Sequence, residues 1–105
     1  MSTPEGEILA AICDYLELKR YFFYRNNNAP IFDATKKIFR KMPKHTMRGI
    51  PDIVVIRDGK YVGLEVKSKT GKQSPFQKDF QQLLEENGGK YAIVTSIDDV
   101  MAIGL

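Results

Sequence analysis

The pair Asp58-Gly59 stands between two short apolar runs, Ile53-Val54-Val55-Ile56 and Tyr61-Val62-Gly63-Leu64, and no other feature constrains the chain as strongly. Asp-Gly suits a two-residue type I′ hairpin, because both central positions of that turn take positive φ. With these residues at the turn the facing positions follow. Arg57 opposes Lys60, Ile56 Tyr61, Val55 Val62, Val54 Gly63 and Ile53 Leu64, and Asp52 lands opposite Glu65. Side chains paired this way stand about 4.5–5.5 Å apart at Cβ, and like charges so placed repel. A stable sheet needs something positive between them. Strand alternation turns Lys67 to the face of Glu65. One end of the hairpin thus gathers two carboxylates and an ammonium. The plain reading is a solvated strand end with a salt bridge. The chemical reading is a site for Mg²⁺ or Mn²⁺, since hard oxygen ligands with open positions suit ions that keep waters and bind phosphate.

Around the hairpin the elements can be placed in order. Thr3-Pro4 reads as an N-cap followed by proline at the first helical position. Ile8, Ile12, Tyr15 and Leu16 then recur at helical spacing, which predicts a helix over 4–18. Residues 21–25 are aromatic and suit a short strand. Residues 26–50 are polar and basic, with a strand or helical turn expected near Ile38-Phe39. Ser74-Pro75 opens a second helix carrying Phe76, Phe80, Leu83 and Leu84 and ending at Gly88-Gly89. Ser74-x-x-Gln77 is a capping box in its own right. Residues 91–95 form a strand and 98–103 a short closing helix. The fold class is therefore α/β: one compact domain, 1–105, with an αβββαβ core around a central mixed sheet flanked by helices. Both faces of the central strands are apolar, so helices are expected on both sides. Phe22 and Phe23 read as core residues rather than as base-stacking surface.

Composition narrows the function. With 105 residues, 43% of them hydrophobic, the chain can bury one core without crosslinks. The single cysteine, Cys13, makes no internal disulfide or zinc knuckle and points to a reducing compartment. No apolar run is long enough for a membrane span and the start lacks a signal-peptide pattern, so a cytoplasmic location is expected. No glycine-rich phosphate loop with its lysine is present, which argues against a nucleotide cofactor. The net charge of +3 hides a segregation: residues 19–48 hold nine Lys/Arg and one acid, Asp33, whereas the remainder holds seven Lys/Arg and twelve acids. Such separation fits one surface that tracks a polyanion and another that collects carboxylates. Lys36, Lys37, Arg40, Lys41, Lys44 and Arg48, just ahead of Asp52, are expected to contact phosphates. Arg25 beside Asn26 and Asn27, and Lys72 after the hairpin, are further candidates. The alternative for each is an ordinary solvated cation. His45, the only histidine, reads as a loop residue near phosphate or solvent rather than a general base.

Gly49-Ile50-Pro51-Asp52, the hairpin, Glu65-Val66-Lys67, and then Ser74 and Gln77 together resemble the virus-type replication-repair nuclease (VRR-NUC) domain of the PD-(D/E)XK nuclease superfamily. The resemblance runs from the first helix to the strand at 91–95. It implies a restriction-endonuclease-like fold and Mg²⁺- or Mn²⁺-dependent hydrolysis of DNA. In that reading Asp52, Glu65 and the Val66 carbonyl hold the metal and Lys67 is the catalytic lysine. Gln77 stands near the active site, and an acid from the first helix joins the cluster. Glu5 shares the buried stripe with Ile8 and Ile12 and is preferred to Glu7 for that part. Stand-alone members resemble Holliday-junction resolvases acting as homodimers, so branched DNA, a second copy of the chain and a phage origin are expected. The rivals are a non-catalytic branched-DNA-binding module and a monomeric flap or end nuclease.

Overall fold

A computed structural model describes residues 3–26, 32–33, 38–39 and 44–105. The elements run α1 (Pro4–Leu18), β1 (Phe22–Arg25), β2 (Phe32–Asp33), β3 (Ile38–Phe39), β4 (Ile53–Arg57), β5 (Lys60–Val66), α2 (Pro75–Glu86), β6 (Lys90–Val94) and α3 (Ile97–Ala102). The main sheet has the order β1-β4-β5-β6, while β2 and β3 pair separately. β1 and β5 flank β4 antiparallel, and β6 joins β5 in parallel through the α2 crossover. Counting only the main sheet, the α1-β1-β4-β5-α2-β6 succession is the expected αβββαβ core.

The hairpin register is the one the Asp58-Gly59 turn requires, from Arg57↔Lys60 to Ile53↔Leu64. Both turn residues have positive φ, 53° and 76°. With that register Ile53, Val55, Val62, Leu64 and Val66 share one face and pack beneath Ile12 and Leu16 of α1 and Val100 of α3. Each such aliphatic side chain contributes roughly 1.5–3 kcal/mol by leaving water. Residues Val54, Gly63, Glu65 and Tyr91 belong to the opposite face. There α2 lies against β6, with the Phe80 and Tyr91 rings 6.5 Å apart, and none of its residues is buried. Phe22 corrects an expectation. It is 68% exposed, because alternation on β1 sends only Phe23 toward the core.

The helices α1, α2 and α3 end in the same backbone motif. The two N–H groups after the cap bond back to carbonyls of the last turn: Arg20 and Tyr21 to Glu17 and Leu16, Gly88 and Gly89 to Glu85 and Leu84, Gly104 and Leu105 to Met101 and Val100. Glycine takes the left-handed position in α2 and α3, but α1 places Arg20 there at φ 62°. Arg20→Gly is therefore expected to raise the unfolding free energy by about 0.5–1 kcal/mol in urea titrations. Among the described residues no helix is long and apolar enough to cross a membrane.

Candidate active site

Asp52 lies one residue before β4 and is held by several elements at once. The Asn26 backbone N–H donates to the Asp52 carbonyl at 2.9 Å, and the Asn26 side-chain amide donates to the Pro51 carbonyl at 2.7 Å. Pro51 is fully buried and covers Gly63, where a Cβ would meet its ring at 2.7 Å. A glycine inside a strand thus makes room for the proline that aims the acid. Upstream, Gly49 at φ 77° lies against the first turn of α2, and a Cβ there would stand 2.3 Å from the Phe76 carbonyl oxygen. Gly49→Ala combines that clash with a left-handed backbone and is expected to cost about 2–3 kcal/mol. Gly59→Ala, also at positive φ but with open space around it, should cost only about 1 kcal/mol. Paired denaturant titrations of the two variants separate the clash from the conformational cost.

The side chains meet at the end of the hairpin. The Val66 backbone N–H donates to Asp52 Oδ2 at 2.8 Å. Asp52 and Glu65 share a side-chain hydrogen bond, and Lys67 stands within electrostatic reach of Glu65. Glu65 is 1% exposed, the only buried charged residue among those described. Burial pushes its carboxyl up to about 9, and the hydrogen bond and charge of Asp52 add to the shift, while Lys67 opposes it. Glu65 therefore holds its proton at neutral pH when no cation neutralises it. Tyr91, on the neighbouring strand, brings its hydroxyl to 3.5 Å from Glu65 Oε1.

Glu5 reaches the same corner from α1. A cleft of about 430 Å³ is lined by Glu5, Asp52, Val66 and Ser68 beside the first turn of that helix, and the Glu5 charge raises the Glu65 carboxyl further. Glu7 is exposed to solvent. Asp52 and Val66 are common to both groups, since Glu65 and Lys67 do not line the cleft. Among the described residues no three His, Cys, Asp or Glu side chains stand close enough together to cage a metal. The donor set of two adjacent carboxylates nonetheless fits Mg²⁺ or Mn²⁺, which bind through one or two carboxylates and retain water. An acid kept protonated by burial and, secondarily, by a neighbouring carboxyl is also the electrostatic situation that a divalent cation relieves.

The other candidates are dispersed. Gln77 completes the capping box, its Oε1 accepting from the Ser74 backbone N–H at 2.8 Å and its own N–H donating to Ser74 Oγ at 3.2 Å. Arg48 stacks over Phe76 with its guanidinium carbon 5.1 Å from the ring centre, beside the start of α2. Lys44, His45 and Lys72 are exposed. Arg25 is exposed and its charge reaches Cys13 on α1. Lys36, Lys37, Arg40 and Lys41 lie outside the described residues. Asn26, grouped with Arg25 as a DNA contact from sequence, instead fastens the Pro51-Asp52 segment. Tyr91 carried no signal, because only the parallel pairing Gly63↔Tyr91 brings it to Glu65, and Gln73 carried none because it acts through Tyr91.

With this geometry in hand, the comparison with solved structures is decisive for the architecture. A structure titled "VRR_NUC domain" superimposes with a TM-score of 0.67 at 21% identity, covering 97% of this chain and 95% of that one. The chain has the VRR-NUC fold. A second structure, "VRR_NUC domain protein", agrees with a TM-score of 0.67 at 17% identity over 98% of this chain and 86% of that one. No protein-family model and no curated protein matches the sequence. In this VRR-NUC fold the acidic corner lies where β4, β5 and the first turn of α1 meet.

Proposed function

We propose that the chain is a divalent-metal-dependent nuclease that hydrolyses DNA phosphodiesters. The observation that carries the reading is the Asp52–Glu65 carboxyl pair, hydrogen-bonded across the hairpin end with Lys67 in electrostatic reach. Asp52, Glu65 and the Val66 carbonyl would hold Mg²⁺ or Mn²⁺. When bound, such an ion supplies Lewis-acid polarisation of the phosphoryl oxygen and a more acidic water. Lys67 stabilises the charge that develops on the phosphoryl oxygens, and Glu5 adds negative charge from the cleft side. Gln77 orients the start of α2 beside this corner. Arg25, Lys36, Lys37, Arg40, Lys41, Lys44, Arg48 and Lys72 would bind backbone phosphates, giving affinity and salt dependence without sequence readout.

Family resemblance supports the finer reading: a Holliday-junction-resolvase-like enzyme, acting on branched DNA as a homodimer. The test is cleavage of labelled four-way junction, flap and linear duplex in Mg²⁺, Mn²⁺ or EDTA, with light scattering for the oligomeric state. Paired symmetric cuts in the junction by a dimer, absent in EDTA, are expected. Cutting of flaps or ends by a monomer would retain the nuclease and remove the resolvase. Tight junction binding without cutting in either metal would leave a binding module.

A further inference from the structure

The buried side of Glu65 is built from groups that the metal chemistry does not itself require. Tyr91 is 6% exposed and stands between two polar side chains. Its hydroxyl faces Glu65 Oε1 at 3.5 Å, and the side chain of Gln73 acts on that hydroxyl from the other side, opposing the upward shift that burial gives it. Gln73 in turn donates from Nε2 to Gln81 Oε1 on α2 at 2.8 Å. On its other side the tyrosine ring packs against Phe80, 6.5 Å between centres at 49°. A polar chain therefore runs from α2 through the β5–α2 loop and β6 to the buried carboxyl: Gln81, Gln73, Tyr91, Glu65. Asp52 continues it to the Val66 N–H. Among the described residues no buried side-chain nitrogen or oxygen lacks a partner, so this chain is how the sheet accommodates a carboxyl that is almost wholly out of water.

We infer that Tyr91 is a positioning residue for Glu65, oriented by Gln73 and Gln81, and that it sets the affinity of the acidic corner for a divalent cation. The inference deepens the metal-dependent reading and rests on it. A carboxylate with one oxygen held by a hydroxyl donor keeps the other aimed at Asp52. Loss of the donor lets the group rotate within its pocket, and the two carboxylates no longer converge. Outer partners of this kind typically tune metal affinity by about 10–100-fold. A tyrosine retained for packing alone would be replaced by phenylalanine at no cost to metal binding. Gln73 matters only through the hydroxyl, because its side chain reaches Tyr91 and Gln81 and not the carboxyl.

The test is direct titration of the full chain with Mn²⁺ followed by the free-ion electron paramagnetic resonance signal, on wild type, Tyr91→Phe and Gln73→Ala. Thermal unfolding of each without metal is run alongside. Expected are a 10- to 100-fold weaker Mn²⁺ affinity in Tyr91→Phe and a smaller loss in Gln73→Ala. Cleavage by Tyr91→Phe should recover at saturating Mn²⁺, a split that general loosening of the fold does not produce. If Tyr91→Phe fails to fold, a weakened affinity in Gln73→Ala supports the inference and an unchanged one overturns it. Wild-type affinity in a folded Tyr91→Phe overturns the inference and leaves the nuclease reading intact. Absence of Mn²⁺ binding by wild type overturns both.

Discussion

Lys67→Ala is expected to reduce DNA cleavage by about two to three orders of magnitude, the usual loss when one electrostatic stabiliser of a transition state is removed. The side chain is half-buried, and its stem lies under Gly71, where a Cβ would stand 3.3 Å from the lysine Cβ and Cδ. Shortening it to alanine removes the ammonium and little of the core, so the fold survives. Asp52→Asn provides the companion measurement. Its amide oxygen still accepts from the Val66 N–H, which preserves the local structure while deleting the charge. Single-turnover cleavage of a fluorescent substrate and a thermal melt of each variant separate the two effects. Both variants should melt close to wild type and cut at least about two orders of magnitude more slowly. Wild-type cleavage rates in either would sink the assignment of the acidic corner as the reacting centre.

The second large effect concerns stability against pH. A carboxyl raised to about 9 in the folded chain, against an ordinary value of 4.5, makes the native state the tighter proton binder between those values. The unfolded chain gives up its proton as pH rises through 4.5, while folded Glu65 keeps it up to about 9. Stability contributed by the protonated group is thus fully present below the lower value, falls through the window, and levels off above the upper one. The limiting slope for one group is about 1.4 kcal/mol per pH unit. Glu65→Gln mimics the neutral acid at every pH, so it should flatten the profile and melt well above wild type at pH 8. Urea titrations between pH 5 and 9 make the comparison. Mg²⁺ at about 100 times its dissociation constant should add about 2.7 kcal/mol to wild type and much less to Glu65→Gln. An equal magnesium effect on both would show that the cation binds elsewhere.

Local chemistry explains which parts were legible in the sequence. The Asp58-Gly59 turn determined the hairpin register because positive φ at two successive positions admits few residues. Proline after a threonine or serine cap marked the starts of α1 and α2 because such caps act within one turn. The facing of Asp52 and Glu65 followed from the register, and the placing of Glu5 at the cleft and of Glu7 in solvent followed from helical spacing. What escaped depended on non-local pairing. Phe22 and Phe23 are equally apolar, and only the docking of β1 on β4 decides which one faces water. Asn26 sits in a polar run that looks like a nucleic-acid contact, until β1 brings it beside Pro51. Tyr91 is an ordinary strand residue until β6 pairs in parallel with β5. Gly63 did carry a signal, a glycine in the interior of a strand, but its partner Pro51 became evident only with the fold.

In most strands an amide proton reports on the neighbouring strand's backbone. The Val66 N–H is different, because its acceptor is the side chain of Asp52. The amide of a fully buried residue therefore senses the charge and rotamer of an acid 14 positions earlier in the chain. Its resonance and its hydrogen-exchange rate amount to an internal spectroscopic reporter, placed by the fold at the end of an inner strand and needing no label. Anything that draws Asp52 away, whether a cation, a phosphate or a substitution, becomes visible at that one peak.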